Sequence, residues 1–563
     1  PAVTPAPTPA VTPAPTPAVT PAVTPAPTPT VTPAPTPAPT VNAAAIALQC
    51  ATYKNQVLNT IGSIEQNSTE NQISTSLDAL MQEDSAAIKQ SLVVNIQDFG
   101  AKGDGVNSDV DALKKAIADV AENGGGSIYF PPTQQTYVID KPVGIPENVN
   151  LIGDNTKISR FFNYTVESSV FIFDGNNIME GFIYDGGLTR IPDTGIQYEA
   201  QYYHEFHIEK DSNGCIFYNN KFLNAKGSVV GGNDSNTIVY KNTFGDYGDH
   251  SVYTGGNCGQ VKNLIVSNNT FTAPTATRET IKITNSGDMV IISNNTFDIP
   301  NGTVYYFCKS AEAQYAPFYS YDLNNISFSY NTVQSCSNIG FIVRDHAPTG
   351  STFGNVKHIQ VSNNTFQAGH YLNIGGSVWS ADTNADNFSG TNVDINNNTF
   401  TQTPEIHLCC NGDGLKVNFT NNTTNGAPYN DSLIRLYGNT TLNVSNNKFN
   451  FDGNTTLIES PYDSKSNTST TAGIKATSPQ KISISNNKIT GLWKVYQSDS
   501  TQNNYLTDNI DFIVADNTFT STGEGVAFGI DPDSLKLIGA KLSITKNSES
   551  IDGIISSTSL NIA

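Results

Sequence analysis

One short repeat limits the folds open to this chain more than any other feature. It reads apolar-x-apolar, then Ser, Tyr or Asp, then Asn-Asn-x-Phe, with variation: IFYNNKF ends at Phe222, IVYKNTF at Phe244, IVSNNTF at Phe271 and IISNNTF at Phe297. Further copies end at Val333, Phe366, Phe400, Phe449, Ile489 and Phe519, at steps mostly of roughly 22 to 40 residues, the spread that one-sided loop insertions give a coil-sized repeat. Apolar alternation before the Asn puts those side chains on one face of a strand. The Asn falls where the chain turns, because Asn tolerates the left-handed region and bonds locally. The aromatic after it points back into a core. Stacked coil over coil at about 4.8 Å, the Asn side chains satisfy one another along a ladder. The fold class that follows is all-β: a single-stranded parallel β-helix, a solenoid, over residues 94–563.

Charge narrows the partners. Lys and Arg number 30 against 50 Asp and Glu, for a formal net charge of −20. This balance disfavours nucleic acid, whose phosphates need a basic surface, and adsorption to anionic lipid. No apolar run is long enough to span a membrane, so membrane insertion is not expected. Only 14% of residues are charged, so Asn, Ser, Thr and Gly carry the solubility, as suits a surface protein that meets sugars. Seven cysteines have no CxxC spacing and an odd count, which reads as buried solenoid thiols ahead of a disulfide framework or a metal cluster.

Residues 1–42 repeat PAVTPAPT and close variants. Proline fixes φ and removes a donor, so an extended polyproline spacer is expected, with its threonines permitting O-glycosylation. The start inside a repeat, without Met, reads as a processed product or part of a longer chain, and the short apolar run Ala44 to Leu48 is not read as a signal peptide. Residues 43–93 change period. Ile46, Cys50, Tyr53, Val57 and Ile61, then Ile73, Leu77, Leu80, Ile88 and Leu92, step by three or four as amphipathic helices do. Helices this short need a partner surface. The expectation is a helical neck that assembles a homotrimer, with packing on the following domain as the alternative.

The stretch VNIQDFGAKGDGVNSDVDALKKAIADVAENGGGSIYFPP, followed by TYVID and NVNLIGDN, resembles the N-terminal cap of the pectate-lyase-like and tailspike right-handed parallel β-helix superfamily. Asp98, Phe99, Gly100, Ala101, Gly103, Asp104 and Gly105 match its opening signature, Asp109 to Val120 its capping helix, and Gly125, Tyr129, Phe130 and Pro131 its first strand. The sequence TQQT stands where members often have a short Gly turn. Asp104 and Asp109 read as turn and helix-cap groups. The resemblance implies a right-handed coil and a glycan partner. Its members run three chemistries: lyases, with Ca²⁺ or Arg neutralising a uronate; inverting hydrolases, with two acidic sites; and epimerases, with acid and base on opposite sugar faces. The Asn-Thr-Asp, Asp-Asp and Gly-His-Gly blocks of polygalacturonase-like members are not intact here, which opposes the hydrolase reading. No cofactor is expected otherwise; Ca²⁺ would accompany a lyase.

Aligning SVYTGG, TIKITN, FIVRDH, YLNIGG, IHLCCN and LIRLYG as one strand of successive coils gathers charge in a chain poor in it. Asp249, His250 and Glu279 form the expected catalytic centre. Asp246, Tyr253, Arg278, Lys282, Arg344, Asp345, His346 and His370 are the expected glycan contacts, with Glu405, His407 and Arg435 further along. Tyr202 and Tyr203, beside His204, Glu205 and His207, read as loop packing or as sugar-stacking rings. Sequons such as that at Asn268 permit glycosylation in a secretory or viral setting. The order spacer, neck, solenoid predicts an extracellular or virion-surface, tailspike-like polysaccharide binder that cleaves its glycan if catalytic. The alternatives are a secreted lyase or glycoside hydrolase, and a non-catalytic structural virion or cell-wall protein.

Overall fold

A computed structural model of the chain describes residues 72, 74–82, 92–160, 169–188, 204–209, 212–232, 235–254, 263–284, 287–308, 323–344, 356–376, 390–460, 480–498, 510–520, 527–529 and 541–545. The chain divides into two units, residues 1–40 and 41–563. The spacer, the first neck helix pattern, Tyr202, Tyr203, Asp345 and His346 lie outside the described residues. No described helix is long and apolar enough to cross a membrane.

The solenoid is a right-handed parallel β-helix. A coil is built from three strands, such as Ile238–Tyr240, Thr243–Phe244 and Val252–Thr254. Each pairs in parallel with its counterpart one coil on: Leu264–Ser267, Thr270–Thr272 and Glu279–Thr284. Three ladders result, and the third, which contains Val252–Thr254, carries the site described below. The 3-10 turn Ile96–Phe99 and the helix Val110–Glu122 precede the second strand, and the helix buries Leu113, Ala116, Ile117 and Val120 against the first coils. Asp109 is not a side-chain cap for this helix. Its carboxylate instead accepts from the backbone N–H groups of Lys102, Gly103 and Val138, stapling the glycine loop to the first coil. Asp104 does hold a turn: it accepts from the N–H groups of Val106 and Asn107, which draw its pKa down to about 2.

The two asparagines of the repeat divide the labour. The first, as in Asn268, Asn294, Asn363 and Asn397, takes the turn with φ near 55–57°. The second is buried and forms the ladder. Oδ1 of Asn295 accepts from both the backbone N–H and the Nδ2 of Asn269, at 2.9 and 3.1 Å, while its own Nδ2 donates to the Val266 carbonyl at 2.8 Å. The same pattern runs from Asn220 to Asn517. Inside it stack the aromatics: Phe244, Phe271 and Phe297 are fully buried with centroids 4.9 and 4.8 Å apart. Cys215, Cys336 and Cys409 are buried.

Residues 74–82 are helical and lie along the outer face of the first ladder. Leu77, Leu80 and Met81 pack on Ile178, Ile216, Ile238, Ile265 and Ile291, the apolar side chains that these strands turn away from the core. Asp78 accepts from the Tyr240 hydroxyl (2.7 Å) and Lys241 Nζ (2.6 Å), and Ser74 Oγ accepts from the amides of Asn268 and Asn294. This stretch of the neck therefore spends its apolar face on its own solenoid. Replacing both Leu77 and Leu80 with Asp will release it and bare the isoleucine stripe, a contiguous apolar patch of the kind that drives association. Light scattering should show the variant self-associating at concentrations where the parent does not; an unchanged mass with unchanged thermal stability would mean that the helix contributes nothing there.

Candidate functional site

The strands of the third ladder stand in register. Gly231 lies beside His207, Tyr253 beside Gly231, Lys282 beside Tyr253, and Tyr306 beside Lys282. Phe341, Asn373, His407, Arg435 and Glu459 follow. The predicted centre assembles at the end of the strand pair Val252–Thr254 and Glu279–Thr284. His250 is buried; its Nδ1 lies 2.7 Å from the Glu279 carbonyl oxygen. A carbonyl only accepts, so Nδ1 carries the proton and Nε2 of the neutral ring is an acceptor. Burial holds this imidazole well below its ordinary pKa, with Lys282 adding to the effect. Nε2 faces Asp249 Oδ1 at 3.2 Å, and the other oxygen of Asp249 accepts from Ser228 Oγ at 3.1 Å. Burial pushes the Asp249 carboxyl up to about 6, against the opposing pull of Arg278 and Lys282. Arg278 Nε stands 4.0 Å from Asp249 Oδ1. The Glu279 carboxylate is partly exposed, 3.6 Å from His250 Nδ1, and its Oε2 has no hydrogen-bond partner among the described residues.

This constellation can do two things. A carboxyl that titrates near pH 6 against a neutral imidazole is poised to give or take a proton. Arg278, together with Lys282, whose ammonium lies 5.3 Å from the centre of the Tyr253 ring, can face a carboxylate. Tyr253 also borders His250 (4.9 Å between centroids) and His204 (5.4 Å). Two residues of the preceding coil went unnoticed in the sequence. Ser228 holds Asp249, and Gly231 leaves room for His204: a Cβ there would come within 2.2 Å of the His204 ring. Burial presses His204 down to about 3, and its ring stacks on His207 at 5.4 Å. The glycine pair in SVVGG, unusual inside a strand, was the available signal.

Other predicted contacts are placed differently. Asp246 lies in the turn before the strand, with Oδ1 taken by the Thr275 N–H. Arg344 pairs in register with Gly376, and the strand run Thr296–Cys308 intervenes between its coil and that of Lys282. It is therefore not the next residue on the Lys282 column, because the sequence alignment passed over that coil. His370 belongs to a separate cluster with Tyr429, Glu405, His407 and Arg435, taken up below. Glu205 is fully buried in the interior. It pairs with Arg160 at 2.5 Å and accepts from the Tyr184 hydroxyl and the Lys226 N–H, so it is a structural anion. No three His, Cys, Asp or Glu side chains gather as a metal-binding group among the described residues. Asp249 and Glu279 stand among Arg278, Lys282 and His250, a donor set that does not fit calcium.

Residues 93–304 match the family model described as Rhamnogalacturonase A/epimerase, pectate lyase-like. The match covers the capping helix and the first coils, and the stretch it covers is similar to pectate-lyase-like β-helix proteins. It is 26% identical over 185 residues to plasmin and fibronectin-binding protein A of Streptococcus pneumoniae, covering 32% of this chain and 24% of that protein. It is 33% identical over 103 residues to the SPbeta prophage-derived protein YomE of Bacillus subtilis, covering 16% of each. The chain thus spans a quarter or less of the length of either. Among solved structures, the tailspike protein of E. coli bacteriophage HK620 in complex with a pentasaccharide aligns with a TM-score of 0.42 at 16% identity, over 80% of this chain and 78% of that one.

Proposed function

We propose that this chain is an extracellular or virion-surface protein that binds an acidic polysaccharide along its third ladder and acts on it at Asp249, His250 and Glu279. The observation that carries the reading is the 3.2 Å contact between Asp249 Oδ1 and His250 Nε2 beside Arg278 and Lys282, on a ladder face whose strands repeat at about 4.8 Å. An extended saccharide laid along that face touches several coils at once. Within it, Arg278 and Lys282 neutralise a uronate carboxylate, which the net charge of −20 would otherwise repel. Neutralising that carboxylate acidifies the neighbouring C–H; Glu279 or ionised Asp249 takes the proton, the C–H electron pair becomes the new C=C as the adjacent glycosidic C–O bond breaks, and the departing oxygen takes a proton from the other carboxyl in its neutral form or from water. This is lyase chemistry carried by cationic side chains. A second reading, a purely adhesive β-helix, draws on the binding name of the partial streptococcal relative and on the missing hydrolase blocks.

The test is to incubate the full chain with oligogalacturonate and oligomannuronate between pH 5 and 9, following absorbance of unsaturated product and release of reducing ends. Product formation supports the first reading; binding without product leaves only the adhesive one; no binding of either uronate removes both. Lys282→Ala should weaken uronate binding by about tenfold, the loss of one charge-assisted contact, with the solenoid's melting unchanged. Affinity within about twofold of the parent, read by calorimetry, would place the uronate elsewhere.

A further inference from the structure

Four to five strands beyond Lys282 on the same ladder lies a cluster that the Asp249 centre does not use. Its core is Glu405, fully buried, which accepts from Asn430 Nδ2 at 2.6 Å and contacts Arg435 Nε and His407 Nε2. Arg435 Nε also reaches Glu459 Oε2 at 3.0 Å, the oxygen that accepts from Ser432 Oγ. Above it sits a ring platform. Tyr429, 48% exposed, stacks on His370 with centroids 4.0 Å apart and planes 20° from parallel. Tyr371 meets Tyr429 edge-on at 5.3 Å. Asn373, one strand before His407, is buried, and its Oδ1 has no hydrogen-bond partner among the described residues.

Nothing in the packing of the solenoid calls for an exposed stacked pair of rings next to a half-open carboxylate. The charge is also opposite in kind to that of the first centre. Among the described residues, two carboxylates, Glu405 and Glu459, face the one guanidinium of Arg435. A uronate is repelled there. Hydroxyls and an ammonium are attracted, because carboxylates only accept and Asn373 Oδ1 is a further acceptor. A flat ring 48% exposed matches the C–H face of a pyranose, and its π-face attracts a cation.

We propose that this cluster is a second saccharide subsite, for an uncharged or amino sugar, separate from the Asp249 centre. It deepens the polysaccharide reading above and rests on it. At about 4.8 Å per strand the two clusters lie ~19–24 Å apart, a span that one extended oligosaccharide bridges. The polymer that fills both is mixed: a carboxylated unit at Lys282 and uncarboxylated units at Tyr429.

Calorimetric titration of the full chain with three hexamers tests this: galacturonic acid, glucosamine and N-acetylglucosamine. Tyr429→Ala should weaken binding of the last two by at least about tenfold and leave the galacturonate hexamer within about twofold. Glu459→Gln, which keeps the shape and the Ser432 contact, should weaken the glucosamine hexamer more than its acetylated form. A matching thermal melt excludes misfolding, and Tyr429→Trp, which keeps a platform, should retain binding. Failure of both uncarboxylated hexamers to bind, or binding unmoved by Tyr429→Ala and Glu459→Gln, overturns the subsite. If galacturonate binding is then still lost in Lys282→Ala, the reading of the Asp249 centre survives. The reverse pattern, with uncarboxylated hexamers bound through Tyr429 and no response to Lys282→Ala, sinks that reading and keeps this one.

Discussion

Replacing Phe271 with Ala will lower the stability of the solenoid by about 3–5 kcal/mol. The ring is fully buried and lies parallel to Phe244 (12°) and Phe297 (4°) in the coils on either side. The coil spacing is fixed by backbone ladders, Thr270 to Thr243 and Thr296 and Phe271 to Phe244 and Phe297, so the neighbouring coils cannot close on the hole. The chain itself offers a contrast. Where the column position holds Thr424 between Phe400 and Phe449, the ring of Phe419 stacks with both from the adjoining strand, 6.5 and 6.1 Å away. Phe271 has no substitute of that kind built into its coil. Because each coil leans on its neighbours, the loss should appear as a lower unfolding midpoint with a broadened transition in urea. A shift worth less than about 1 kcal/mol would mean that the ring column does not support the stack.

The coil was legible because its signal repeats. Asn-Asn-x-Phe or a close variant recurs at most coils, and each copy reports on the same backbone position. The division of labour between its two asparagines was not legible, since either could take φ > 0 or join a ladder; burial of the second, Asn269 or Asn295, decides it. The neck helix showed its apolar face at Leu77 and Leu80, but nothing local to residues 74–82 names the surface they meet. That surface is the outward set Ile238, Ile265 and Ile291, which in the sequence looks like ordinary alternation broken by extra isoleucines.

The site was legible where charge and register coincide, and obscure where they do not. Asp249, His250, Glu279 and Lys282 converge because GDHSVY and ETIKIT are consecutive coils of one ladder. Arg344 was misplaced because the intervening run Thr296–Cys308 carries no charged residue in VYYFC, the segment that pairs with TIKIT, so an alignment on charge passes over that coil. Glu205 shares the parity of the partly exposed His207, yet it is buried. The Arg160 that compensates it lies 45 residues earlier, a pairing that no periodicity reveals. Tyr429 and Asn430 come from the loop before Ser432–Ser445, outside every aligned strand, so a strand-by-strand reading missed the platform above Glu405.

Asp249→Asn will reduce product release by about 10²–10⁴-fold, the usual worth of a positioned acid–base group. It will also leave a signature in stability that a merely structural residue would not. The native carboxyl titrates near 6, against an ordinary 3.8, because burial disfavours its anion. Its pKa is therefore raised on folding. Between about pH 4 and pH 6 the unfolded chain ionises first, and native stability attributable to this group falls as pH rises, levelling off above pH 6. Over that window the buried anion costs about 3 kcal/mol at most. His204 and His250 act in the opposite sense: both are held neutral by burial, so they withdraw stability as pH falls below their ordinary 6.5. The net profile of the parent thus hides the Asp249 slope, and only the difference between variant and parent isolates it. Asn keeps an acceptor for Ser228 Oγ and removes the charge, so the variant should gain on the parent steadily from pH 4 to 6 and hold that gain at pH 8. A pH-independent difference would show that Asp249 is not buried as an anion. Full activity in the variant would leave Glu279 as the sole base and reduce the Asp249–His250 pair to a support for its strand.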